Sequence, residues 1–168
     1  MIYYIIIWLL ILLITYSVFL LLLSKKIDKF ENKIIHLFFS RSNNIPALFE
    51  VTKNYIVKHS QVFKNSINLR KQEFSQIDNN SDFLTILQTE TLIHKELNFI
   101  LKLAKQHNNI LKNNKFLYIR EIIINKSFDI WDNVDTYKKI IKKYNKLVTI
   151  KNLTIIWLLI PIYKKQSI

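Results

Sequence analysis

Glycine and cysteine are missing from this 168-residue chain, and proline occurs only at Pro46 and Pro161. Without glycine there is no P-loop, no dinucleotide-binding fingerprint and no nucleophile elbow, because each depends on glycine's backbone freedom or close approach. Without cysteine there is no disulfide, no thiol nucleophile, no thiolate metal site and no redox clue to the compartment. Arginine is scarce too, at three of 25 basic residues. That weighs against bidentate readout of phosphates or base edges, and so against a nucleic-acid partner. With so few breakers, turns must come from Asn, Asp and Ser, and the chain is expected to be all-α.

Ile, Lys and Asn fill the space, with 30, 22 and 17 copies. Such a bias fits an AT-rich coding sequence, so a single Lys or Asn carries little weight. The net charge is +13, and every charged side chain follows residue 24. Two readings compete for this basic part. Lysine faces can keep a helical bundle soluble, or they can hold it near anionic lipid headgroups.

The first 24 residues, "MIYYIIIWLLILLITYSVFLLLLS", are uncharged. As a helix, Ile2 to Leu23 would span ~33 Å against a hydrocarbon core of ~30 Å. Tyr3, Tyr4 and Trp8 suit an interfacial aromatic belt. A cleaved signal would want a basic start, a shorter apolar run and a small-residue cleavage site, none of which is present. Residues 1–24 therefore read as an uncleaved transmembrane anchor. Lys25, Lys26, Lys29 and Lys33 follow it directly, so the positive-inside rule places the N-terminus outside a cell membrane and the remaining domain in the cytoplasm.

Beyond the anchor, apolar residues recur at helical spacing. Phe30, Ile34 and Phe38 continue the anchor helix. A second stripe runs Ile45, Leu48, Phe49, Ile56, Val62, Phe63 and Ile67 to about Phe74. "SQIDNNSD" (Ser75–Asp82) reads as a loop, with Ser81 or Asp82 able to cap the next helix. That helix carries Phe83, Ile86, Leu87, Ile93, Leu97, Ile100, Leu101, Ala104 and Leu111. Asn113-Asn114 makes a further break and cap. Phe116, Ile119, Ile123, Ser127, Ile130, Val134, Tyr137, Ile141 and Tyr144 then form an unbroken core seam in steps of three and four. The architecture expected is an antiparallel up-and-down bundle of about four helices over residues 25–150. Residues 151–168 form an apolar tail, buried or interfacial, whose uncharged stretch "NLTIIWLLIPIY" (Asn152–Tyr163) would span only ~18 Å as a helix.

Chemistry-bearing patterns are few. "DNNSD" opens like a calcium loop, but the sixth position is Phe83 and the twelfth is Thr89 where Gly and Glu belong. His36, His59, His94 and His107 show no ligand spacing. The twelve carboxylates are scattered; Glu90 and Glu96 do not share a helix face, and no set of nucleophile, base and orienting group can be assembled. The reading is of a non-enzymatic protein with no catalytic, cofactor or metal residues and no small-molecule substrate. The most basic stretch, "YKKIIKKYNK" (Tyr137–Lys146), places Lys138, Lys139, Lys142, Lys143 and Lys146 around an apolar seam. With Trp157 of the tail, these are the candidates for a membrane surface. The alternative for the same lysines is a helix C-terminus favourable to the dipole.

Two segments together resemble the LemA family of membrane-anchored bacterial helical proteins. In "RSNNIPALFEVTKNYIVKH", Arg41, Ile45, Pro46, Leu48, Lys53 and Tyr55 fall on the family's pattern. In "FLYIREIIINKSFDIWDNVDTYKKIIKKYN", Phe116, Ile119, Ile123, Ile130, Tyr137, Ile141 and Tyr144-Asn145 do so without gaps. Departures are Ser127 for a family Glu, Val134 for an Arg, Lys138 after the first Tyr, Asn54 for a Gly, and His59 one place late. The resemblance implies an up-and-down bundle on one N-terminal span, with no established enzymatic activity. It also favours Pro46 as the first turn of a new helix where the chain reverses. The expected role is a scaffold or protein-binding module working with another membrane protein; the alternative is a peripheral bundle that binds anionic lipid through its last helix and tail.

Overall fold

The computed structural model describes residues 1–55, 60–79, 82–152 and 165, and among them the chain is all-α. Helix α1 spans Ile2–Ser42, α2 Ile45–Thr52, α3 Ser60–Asp78, α4 Phe83–Ala104, α5 Asn108–Leu111 and α6 Asn114–Asn152. Two compact units are formed: one is Lys33–Asp132, the other joins Met1–Asn32 to Asn133–Ile168.

In the unit of residues 33–132, the buried positions of α1 and α2 are Ile34, Phe38, Arg41, Ile45, Leu48 and Thr52, all fully out of solvent. Their steps of three and four continue through the Asn43-Asn44 turn without a change of phase. The neighbours on α3 run steadily backward. Phe39 stacks on Phe74 at 4.5 Å, Ser42 bonds Glu73, and the Phe49 ring lies 5.1 Å from Phe63. Residue numbers rise on α1–α2 while they fall on α3, so α2 carries on in the direction of α1.

This corrects the expected reversal at Pro46. The proline sits in the first turn of α2, as its missing N–H allows, and the helix is interrupted there. The interruption is a local break: Asn44 stays in right-handed helical geometry, its backbone N–H donates to the Arg41 carbonyl at 3.0 Å, and its side-chain Nδ2 donates to the Ser40 carbonyl at 2.9 Å. The chain turns back between Thr52 and Ser60 instead, so the second stripe is two helices and not one.

The other boundaries follow local chemistry. Residues Ser75–Asp78, expected in a loop, extend α3. Asp82 occupies the cap position of α4 in extended geometry, and its carbonyl, not its side chain, receives the first bonds, from Thr85 and Ile86. Asn113 caps α6 with its side chain: Oδ1 accepts the amides of Lys115 at 3.0 Å and Phe116 at 3.1 Å. Ile45, Leu48, Phe63, Ile93, Leu97, Ile100, Phe116, Ile119 and Ile123 share one core cluster.

In the other unit, α6 runs antiparallel to α1. Tyr137 donates to Glu31 at 2.7 Å, and Tyr16 donates to the Leu147 carbonyl at 2.7 Å. Leu20, Ile27, Ile141, Tyr144 and Val148 are buried here. The first 15 residues of α1 stay almost wholly exposed, and α1 is the one helix among the described residues long and apolar enough to cross a membrane. Replacing Asn113 by Ala should lower unfolding free energy by about 1 kcal/mol, the worth of a side-chain N-cap, as read by denaturant unfolding of the detergent-solubilised chain.

Candidate functional site: a buried charge cluster and a basic helix end

A cluster of polar side chains sits inside the apolar core of the 33–132 unit. Arg41 and Ser42 come from α1, Glu73 from α3, Glu90 and His94 from α4, and Ser127 from α6. Arg41, Ser42, Glu73 and Glu90 are fully buried. The Arg41 guanidinium pairs with Glu90 Oε1 at 2.6 Å, reaches His94 Nδ1 at 3.2 Å and donates to Ser127 Oγ at 3.0 Å. Ser42 Oγ donates to Glu73 Oε2 at 2.5 Å.

Each of these positions lies in the phase of a buried stripe. Glu90 stands between Leu87 and Ile93, and Glu73 is seven residues from buried Ser66 and ten from Phe63. A charged group so placed must be compensated, because removing an ion from water costs several kcal/mol. Burial pushes the Glu90 carboxyl well above its ordinary range; Arg41 pulls the other way, and Glu73 adds to the rise. Burial first, and then the neighbouring Arg41, holds His94 below the usual imidazole range. Burial also lowers the Arg41 guanidinium, against the pull of Glu90 and Glu73.

Sequence reasoning did not assemble this cluster. It judged the acids by their spacing along the chain, whereas the legible signal was phase: an acid on a core stripe. Arg41 was singled out by the family pattern, and Ser127 was noted as a departure; the fold brings these two together. His94 packs edge-on against Trp131 at 5.3 Å, and His107 lies 6.4 Å from Tyr55. Among the described residues no three His, Asp or Glu converge in a way that could hold a metal ion.

The remaining family positions are mostly structural. Ile45, Leu48, Phe116, Tyr137 and Tyr144 are buried, Pro46 is exposed, and Tyr55 packs partly against the core. Lys53 pairs on the surface with Glu50 at 2.6 Å.

The second feature is the basic end of α6, in the other unit. Lys138, Lys139, Lys142, Lys143 and Lys146 are all exposed, because Tyr137, Ile141, Tyr144 and Val148 take the inward positions. The Lys143 ammonium lies 5.8 Å from the centre of the Phe19 ring, inside the uncharged run of α1. Asn145 exchanges two bonds with the backbone of Lys165, at 2.8 and 3.0 Å, and the Lys165 ammonium pairs with Asp28. Trp157 and the stretch 153–164 lie outside the described residues, as do His59 and Ser81.

No family model matches the chain, and neither curated proteins nor solved structures give a match.

The Arg41–Glu90 and Lys53–Glu50 ion pairs should differ sharply. Arg41→Met strands buried acid and should cost about 3–5 kcal/mol. Lys53→Met breaks a pair whose side chains are 43% and 59% exposed, and should cost at most about 1 kcal/mol. Denaturant midpoints of the two variants, read at unchanged slope, check the contrast.

Proposed function

We propose that this is a non-enzymatic, single-pass membrane protein whose helical bundle is held against the anionic face of the bilayer by the basic end of α6. The observation that carries the reading is Lys143 over Phe19, with Tyr16 bonded to Leu147 beside it. A lysine that reaches an aromatic ring of the apolar helix lies at the depth where headgroup phosphates end and hydrocarbon begins. Lys138, Lys139, Lys142 and Lys146 share that stretch, each worth about 1 kcal/mol near an anionic leaflet. Lys165, bonded to Asn145 and Asp28, returns the end of the tail to the level of the charged flank of α1. That position favours a tail that does not cross. The lysines after residue 24 favour a cytoplasmic bundle and an external N-terminus.

The LemA resemblance supports the same reading. Where the family pattern carries Glu, Ser127 stands within hydrogen-bond reach of Arg41. A carboxylate at that position would meet the same guanidinium, and here Glu90 supplies it from α4.

A second, scaffold reading rests on the outer face of α6. Tyr118 and Phe128 are 67% and 75% exposed, and Ile124 is 46% exposed. With exposed Glu121 and Asp132 they form one acidic, aromatic stripe at helical spacing, suited to a protein partner. Photo-crosslinkers at positions 118 and 128 in cells should trap a protein. Recovery of lipid adducts alone would remove this second reading.

The lipid reading predicts that the full chain in nanodiscs of anionic lipid protects amides 138–150 from hydrogen exchange more than in zwitterionic discs. Exchanging Lys138, Lys139, Lys142 and Lys143 for Gln, or raising the salt, should erase the difference. Equal protection in both lipids would refute it.

A further inference from the structure

Glu73 and Glu90 are both fully buried within the cluster, close enough for the Glu73 charge to raise the Glu90 carboxyl. Both are acids, and an ionised carboxylate only accepts. Glu73 Oε2 takes the Ser42 hydroxyl and Glu90 Oε1 takes the Arg41 ion pair. Glu73 Oε1 and Glu90 Oε2 are left buried without a donor. Buried acceptors with no donor are satisfied when one of the two acids carries a hydrogen.

The charge count points the same way. A guanidinium has only donors, so His94 Nδ1, which faces Arg41, must offer its lone pair. The imidazole proton then lies on Nε2 and the ring is neutral. Asn98 Nδ2 lies 2.9 Å from Nε2, and the Nε2 proton is accepted there once the amide nitrogen and oxygen are exchanged. From α6 the cluster receives only the Ser127 hydroxyl, which itself donates to the Ile123 carbonyl. From α2, Thr52 donates to its own helix. Arg70, one turn before Glu73 on α3, directs its guanidinium to the Ser42 carbonyl and the Asn43 side chain. The charges acting on Glu90 are those of Arg41 and Glu73. Two carboxylates against one guanidinium leave one uncompensated negative charge in the core, and one proton removes it.

We propose that the Arg41–Glu73–Glu90 cluster is a proton-binding site, in which a single proton on Glu90 is held by the folded bundle at neutral pH and released when the bundle opens. The bundle is thereby coupled to pH. Because the folded Glu90 carboxyl titrates above its unfolded range, its stabilising share is fully present below that range. It is lost as pH rises through the folded value. Over that window the folding equilibrium constant falls by up to tenfold per pH unit. No partner or lipid is needed for this behaviour, so it stands apart from whatever the outer surface binds.

The test is infrared difference spectroscopy of the full chain in detergent micelles at pH 7. The expected result is one carbonyl-stretch band of a protonated carboxylic acid that shifts in D2O. It should vanish in Glu90→Gln or Glu73→Gln and persist in Asp82→Asn, a control at an exposed acid. Each single Gln variant keeps an amide donor in place of the proton and one carboxylate for Arg41. It should therefore unfold at the same denaturant midpoint from pH 6 to pH 9, whereas the parent midpoint falls. Absence of the band from the parent protein at pH 7 would overturn the proposal. So would a band that survives both Gln substitutions. A parent whose midpoint rises with added sodium or calcium, and which shows no acid band, would place a metal cation between the carboxylates and equally overturn it.

Discussion

The contact on which the bundle depends is the ion pair between Arg41 and Glu90, closed off from water in the core together with Ser42 and Glu73. The helices around it are built from long, similar stripes of isoleucine and leucine, with no glycine to mark a close approach. Stripes of this kind pack nearly as well after a slip of one heptad, because dispersion and hydrophobic burial are indifferent to which isoleucine meets which. A buried guanidinium is not indifferent. It needs Glu90 opposite, Ser127 on its flank and the acceptor nitrogen of His94, and one slipped turn leaves several kcal/mol of unpaired charge. We therefore read the cluster as the device that fixes register among α1, α3, α4 and α6, as a lone polar core residue does in coiled coils.

Much of this fold was legible from period and composition. The seam from Phe116 to Tyr144 is buried wherever the structure places a large side chain on it, because steps of three and four can be satisfied only by a helix with one inward face. Asn113 caps α6 for the reason Asn is favoured there: its side chain reaches the free amides of the first turn. Ser75–Asp78 failed as a loop because polar residues are as compatible with the outer face of α3 as with a turn. Ile77, half-buried three residues beyond Phe74, carries the stripe on toward the true boundary at Asp78.

The proline shows where local rules stop. The residue before a proline is pushed away from helical geometry, and that identified a break near residue 45. A break does not specify direction. Direction is decided by which face the next helix must bury. Ile45, Leu48 and Thr52 extend the inward phase of Ile34, Phe38 and Arg41, so turning back at Pro46 would have swung that face out of the core. The reversal instead falls after Thr52, where the inward seam ends. The same phase reading, applied to acids as well as to apolar residues, would have exposed Glu73 and Glu90 as core positions. What sequence could not supply was their meeting, since 17 positions and a helix reversal separate them.

The basic end of α6 follows from the same geometry. Tyr137, Ile141, Tyr144 and Val148 must face α1, which leaves Lys138, Lys139, Lys142, Lys143 and Lys146 no inward position. In water this would be an ordinary solvated face, and the dipole of α6 would favour it by tenths of a kcal/mol per charge. Its neighbour changes the balance. The helix it lies against is the uncharged one, and Lys143 extends along it as far as Phe19. A long lysine stem laid on apolar surface with its ammonium at the rim has the geometry of a snorkelling side chain. Beside an anionic leaflet each such charge gains about 1 kcal/mol, several times the dipole's contribution. The proposed lipid contact would therefore favour this lysine face more strongly than the dipole does.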